Sequence, residues 1–146
     1  MAGKSHFAVV RSKYRPEIIG GLYEGAKAVL DGAGATHEVV EVTGSLEIPA
    51  AIAMLEKSGK DFHGYVALGC ILKGDTIHDE VIAYTVFGDI DRMACKKQLA
   101  IGNGILTVNT VAQAEERADP KRQNRGGEAA KAALAMAELK HRWCGK

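Results

Sequence analysis

The stretch Tyr65-Val66-Ala67-Leu68-Gly69-Cys70 is almost wholly apolar and runs, through Ile71 and Leu72, into the turn Lys73-Gly74-Asp75-Thr76. So short a run without polar alternation predicts a strand buried on both faces of a sheet. Such strands belong to parallel sheets, and parallel neighbours need crossovers, usually helical. The rest of the chain supplies them. Phe7 to Val10 is a second apolar block, and from Glu17 to Leu30 apolar residues return at helical spacing, at Ile18, Leu22, Ala26, Val29 and Leu30. Gly32 and Gly34 close that helix, and His37 to Val42 is a β-branched run. Pro49 suits the first turn of a helix reaching about Lys57. A helix is predicted again after Thr76, then a strand over 104–108. Thr110 with Gln113 forms a capping-box pattern opening a helix through Ala118, and the last helix runs from about Gly127 to Arg142. This alternation predicts a three-layer α/β/α sandwich around a four-stranded parallel sheet, with a ligand site at the carboxyl ends of the strands.

The 146 residues, 47% hydrophobic and 25% charged, suit one globular domain spanning 1–146. A formal net charge of +1, with no basic stripe, argues against nucleic acid or an anionic membrane as partner. Cys70, Cys95 and Cys144 are odd in number and widely spaced, which fits neither a zinc site nor a disulfide framework and suits a reducing cytoplasm. No signal peptide or membrane span is expected, because no apolar stretch is long enough.

Three constellations carry chemistry. In Leu68 to His78 a buried strand ends in a glycine turn and a helix begins, so free backbone N–H groups can hold a phosphate. Thr76 adds a hydroxyl, and His78 would stand beside the ligand as a proton carrier that titrates near neutrality. Asp75 would repel a phosphate unless it points away or caps the helix, so a cationic partner is needed. In Gly44-Ser45-Leu46-Glu47-Ile48-Pro49, Ser45 is a plausible cap, while Glu47 either complements the helix dipole or bonds a polyhydroxylated ligand. Tyr14, after the first strand, either packs or offers its ring to a heterocycle. Arg117 and the run Lys121-Arg122-Gln123-Asn124-Arg125 are suited to phosphate, although a solvated turn and a complemented helix C-terminus explain them equally well.

Gly-Ser-Leu-Glu-Ile-Pro at 44–49, Gly74-Asp75-Thr76-Ile77-His78, Glu116-Arg117-Ala118 and Asn124-Arg125-Gly126-Gly127-Glu128-Ala129-Ala130 together resemble lumazine synthases, in order and at family-like spacing. The resemblance covers nearly the whole chain and implies a flavodoxin-like fold. It implies a transferase of riboflavin biosynthesis that condenses 5-amino-6-ribitylaminouracil with 3,4-dihydroxy-2-butanone 4-phosphate, releasing phosphate and water without metal or organic cofactor. It also implies a homopentamer at least, with active sites between subunits.

Residue by residue, the resemblance gives Tyr14 the place of the ring that stacks on the pyrimidine, usually Phe or Trp. Ser45, Leu46 and Glu47 match the segment that binds the ribityl side and ring edge. Cys70, Ile71 and Leu72 match strand-end residues whose backbone faces the pyrimidine, so Cys70 is not a nucleophile. Asp75 and Thr76 match the phosphate turn, Arg117 its cationic clamp and His78 the proton-transfer residue. Arg125 sits where the family often has Lys. Asn103 stands where a neighbouring subunit usually contributes Phe, and Asp79-Glu80-Val81 replaces a stretch that commonly begins with an aromatic residue. Asp79 is placed to orient or tune His78, or simply to favour the helix dipole. Pro120, in the connection that influences how pentamers meet, favours a free pentamer over a shell. The competing readings are a slow or silent binding and assembly paralogue with the same pocket, and, more remotely, a flavin carrier or signalling receiver. Against the last two stands a first strand without a Ser/Thr-rich phosphate loop or an acidic cluster.

Overall fold

A computed structural model describes residues 4–145. In chain order the elements are β1 (His6–Ser12), α1 (Pro16–Gly32), β2 (Thr36–Val42), a 3-10 turn (Ser45–Glu47), α2 (Ile48–Lys57), β3 (Gly64–Leu72), α3 (His78–Lys97), β4 (Ile101–Val108), α4 (Val111–Ala118) and α5 (Arg125–Cys144). The four strands form one parallel sheet in the order β2-β1-β3-β4. This is the four-stranded parallel sheet that the alternation of elements predicts and the flavodoxin-like fold that the resemblance implies.

Successive side chains of a strand point to opposite faces, so each central strand feeds two cores. Phe7 and Val9 of β1 join Val66, Leu68 and Cys70 of β3 beneath α1, α4 and α5. Ala8 and Val10 join Tyr65, Ala67 and Ile71 beneath α2 and α3, where Ile48, Ile52, Val86 and Ile90 meet them. Eight of the nine residues of β3 are buried, which is why this strand lacks alternation. At the edge, β2 alternates between exposed and half-buried positions.

Several boundaries differ from the sequence expectation, and two of the differences have a clear local cause. β4 begins at Ile101 rather than Gly104 because Gly102 and Asn103 pair with Val66 and Ala67 of β3. α5 begins at Arg125 rather than Gly127 because Asn124 adopts a left-handed conformation (φ 49°) and its Oδ1 accepts the Gly127 N–H at 3.2 Å. Asparagine is among the few residues that combine a left-handed backbone with a capping carbonyl. The predicted cap of α4 has the form expected at its centre: Thr110 Oγ1 accepts from Gln113 N–H at 3.1 Å. Gln113 Oε1 in turn accepts from Asn109 N–H at 2.7 Å, one residue earlier than the usual reciprocal bond.

Candidate active site

Chain order places β2 on one side of β1 and β3 on the other, and at such a switch point the loops diverge and leave a crevice at the strand ends. A cavity of about 480 Å³ lies there. After β1 it is lined by Tyr14, and after β2 by Thr43, Gly44, Ser45, Leu46 and Glu47. The end of β3 contributes Cys70, Ile71 and Leu72, and the following turn and α3 contribute Gly74, Thr76, His78, Asp79 and Ile82. Ten residues singled out in the sequence thus share one wall: Tyr14, Ser45, Leu46, Glu47, Cys70, Ile71, Leu72, Thr76, His78 and Asp79.

Local chemistry fixes each group. Ser12, buried at the end of β1, accepts Tyr14 N–H at 3.0 Å and so turns the chain outward. Tyr14 is 49% exposed, and the Arg15 guanidinium stands 5.5 Å from its ring centroid. Arg15 itself is left-handed (φ 60°) immediately before Pro16, a conformation that costs about 1–3 kcal/mol in a residue with a Cβ. The hydroxyl of Tyr14 raises the Arg15 pKa above its ordinary value. Glu47 Oε1 accepts from Gly44 N–H at 2.9 Å and holds the 3-10 turn.

Ser45 is not a cap. Gly44 occupies that position, and the Ser45 hydroxyl is buried against the backbone of Gly69, with no hydrogen-bond partner among the described residues. A side chain at Gly69 would crowd that hydroxyl, so the glycine lets the turn settle on β3. Burial pushes the Cys70 thiol up, opposed by the charge of Arg15, and the neutral thiol agrees with a wall residue rather than a nucleophile.

His78 is the first residue of α3, and its N–H donates to Thr76 Oγ1 at 3.2 Å. Asp79 does not bond the imidazole: its Oδ1 accepts from Gly74 N–H at 3.2 Å, across the turn. Asp75 is exposed and outside the cavity wall. Among the described residues no lysine or arginine lines the cavity, whereas Glu47 and Asp79 both do.

The remaining candidates lie elsewhere on the same chain. Arg117 rests along its own helix, with Nη1 donating to the Gln113 carbonyl at 3.2 Å and standing 3.9 Å from Glu116. Asn103 and Arg125 share a separate, smaller cavity of about 160 Å³ between β4 and α5. There Arg125 pairs with Glu128 at 3.6 Å, and Asn103 Oδ1 accepts Ile105 N–H at 2.9 Å. Thr43, Arg15 and Ile82 were not singled out in the sequence. Arg15 had one available signal, its place beside Tyr14 in a strand-end loop, whereas Ile82 becomes a wall residue only through the packing of α3.

Fold and cavity together define a parallel α/β protein with a crevice of small-molecule size at the carboxyl ends of its strands. The sequence profile of the 6,7-dimethyl-8-ribityllumazine synthases matches residues 4–141. A 6,7-dimethyl-8-ribityllumazine synthase of Methylocella silvestris is 47% identical over 139 residues, covering 92% of this chain and 85% of the relative. One of Novosphingobium aromaticivorans is 47% identical over 137 residues, covering 94% and 97%, and one of Bartonella tribocorum is 43% identical over 143, covering 98% and 95%. The chain belongs to the 6,7-dimethyl-8-ribityllumazine synthase family.

Proposed function

We propose that the cavity condenses 5-amino-6-ribitylaminouracil with 3,4-dihydroxy-2-butanone 4-phosphate to 6,7-dimethyl-8-ribityllumazine, with His78 moving the protons. The observation that carries this is the convergence of Tyr14, Glu47 and His78, from three different strand-end loops, on one cavity. In this reading the Tyr14 ring stacks on the pyrimidine, and the backbone of Cys70 to Leu72 meets its edge. Ser45, Leu46 and the second oxygen of Glu47 receive the ribityl side. The phosphate sits over the 74–76 turn, with the hydroxyl of Thr76 as donor.

The chemistry needs proton carriers rather than a covalent nucleophile. The substrate amine attacks the ketone, and the carbinolamine loses water to give an imine. Removal of a proton then drives out phosphate with its C–O electron pair, and the ribityl-bearing nitrogen closes the ring with loss of a second water. One imidazole can accept and return protons in several of these steps, and holding the two substrates in reacting geometry supplies much of the rest.

A phosphate also needs positive charge, and among the described residues no lysine or arginine lines the cavity. We infer that the missing groups come from a neighbouring copy: Arg117 and Arg125 as the phosphate clamp, and Asn103 in place of a covering ring. This requires a homo-oligomer, and a homopentamer is the form the family resemblance implies. Exposed apolar side chains at the start of α3 support burial against neighbours, with Ile77, just before the helix, 70%, and Val81 53% and Tyr84 81% accessible in the isolated chain. The same reading puts the enzyme in the cytoplasm, where free Cys70, Cys95 and Cys144 stay reduced. Among the described residues no helix is long and apolar enough to cross a membrane.

The test is purified protein with both substrates, following lumazine absorbance against the uncatalysed reaction and counting phosphate in parallel. Accelerated formation with stoichiometric phosphate is expected. No acceleration by assembled protein that still binds the pyrimidine would make the chain a ligand-holding relative.

A further inference from the structure

A phosphate oxygen arriving at the 74–76 turn needs backbone N–H groups that are still free. One of them is already taken: Gly74 N–H donates to Asp79 Oδ1 at 3.2 Å. Asp79 is half-buried and lines the same cavity as Thr76 and His78. It takes part in none of the ion pairs among the described residues. Its carboxylate therefore stands in the wall without an ion-pair partner among the described residues, next to the donor that an incoming anion would use, and Lys73 shares only the neighbouring cavity with it. An acid in the first turn of α3 also favours the helix dipole, but Glu80 serves that purpose from outside the cavity. Neither role of the dipole requires a bond that reaches back across the turn to Gly74.

We propose that Asp79 sets the affinity for the phosphorylated substrate by acting as a built-in anion on the phosphate turn. Binding the phosphate means breaking the Asp79–Gly74 bond and bringing a dianion up to a carboxylate. The turn is consequently a weak phosphate site within one chain and depends on cations brought to it from outside the cavity wall. This rests on the reading of the cavity given above, and it makes Asp79 a positioning and specificity residue rather than a proton carrier.

The test uses the full-length assembled chain and inorganic phosphate as probe, measured by calorimetry and by inhibition against the phosphorylated substrate at fixed ionic strength. Asp79→Asn keeps an oxygen acceptor for Gly74 and removes the charge, and Asp79→Ala removes both. Phosphate should bind about five-fold tighter to Asp79→Asn, the order expected for one partly exposed charge, and tighter still to Asp79→Ala. KM for the phosphorylated substrate should fall in parallel while KM for the pyrimidine stays fixed. Unchanged or weaker phosphate binding by folded, assembled Asp79→Asn overturns the proposal, and so does an equal shift in both KM values, which marks a purely structural role. Phosphate binding is read without turnover, so this outcome is separate from that of the condensation assay. Absence of phosphate binding in all three proteins would reject both the proposal and the phosphate turn.

Discussion

His78 stands at the first position of α3, fixed through its backbone by Thr76 and facing the cavity it shares with Tyr14 and Glu47. Replacing it with alanine removes the imidazole that the proposed reaction uses but no core contact, since the side chain is exposed in the isolated chain. The rate of lumazine formation should drop about a hundred-fold while sedimentation of the assembled protein stays unchanged. Arg117→Ala should act differently. If Arg117 clamps phosphate, kcat/KM for the phosphorylated substrate falls about ten- to a hundred-fold, as for a lost charged hydrogen bond, with the pyrimidine KM unmoved. At Cys70 burial leads and the guanidinium of Arg15 only partly offsets it, so the thiol stays protonated at neutral pH. Iodoacetamide should therefore label the exposed Cys95 and Cys144 and leave Cys70 unreacted on the same timescale, which peptide mass spectrometry reads directly.

At the scale of elements, α5 lies against α1 so closely that a side chain at Gly126 would overlap the Leu22 carbonyl. Gly126→Ala must push the helices apart and should cost about 2 kcal/mol, measured by denaturant unfolding at fixed protein concentration. Thr110→Ala removes the cap of α4 and should cost about 1 kcal/mol in the same experiment. These elements were unevenly legible in the sequence. The core run of β3 and the periodicity of α1 announce themselves, because a buried strand and an amphipathic helix each impose a pattern over many residues. Ser45 shows the opposite case. Its type and position suggested a cap, yet the settling of the 3-10 turn against Gly69 gave the capping place to Gly44 and buried the hydroxyl. A cap depends on one dihedral and one contact, which no repeating pattern records.

For the whole molecule, the separation of Arg117, Arg125 and Asn103 from the main cavity yields a test of sharing between copies. His78→Ala and Arg117→Ala subunits, each nearly inactive, should regain about a quarter of wild-type activity when co-assembled in equal amounts, because that fraction of shared sites receives both intact halves. No gain over the two parents would mean that one subunit holds a complete site. The sequence by itself determined the class of sheet, the order of its elements, the family and the set of side chains available for chemistry. Burial on both faces, helical period and motif spacing are properties of the chain that survive without coordinates. Only the tertiary structure decided which of those side chains meet. It drew Tyr14, Glu47 and His78 together from three loops, left both arginines elsewhere, and turned Asp79 onto Gly74 rather than onto the imidazole. The physical reason is that contacts between loops depend on how strands order and helices pack across the sheet, and that information is spread over the whole chain rather than written at the residues that touch.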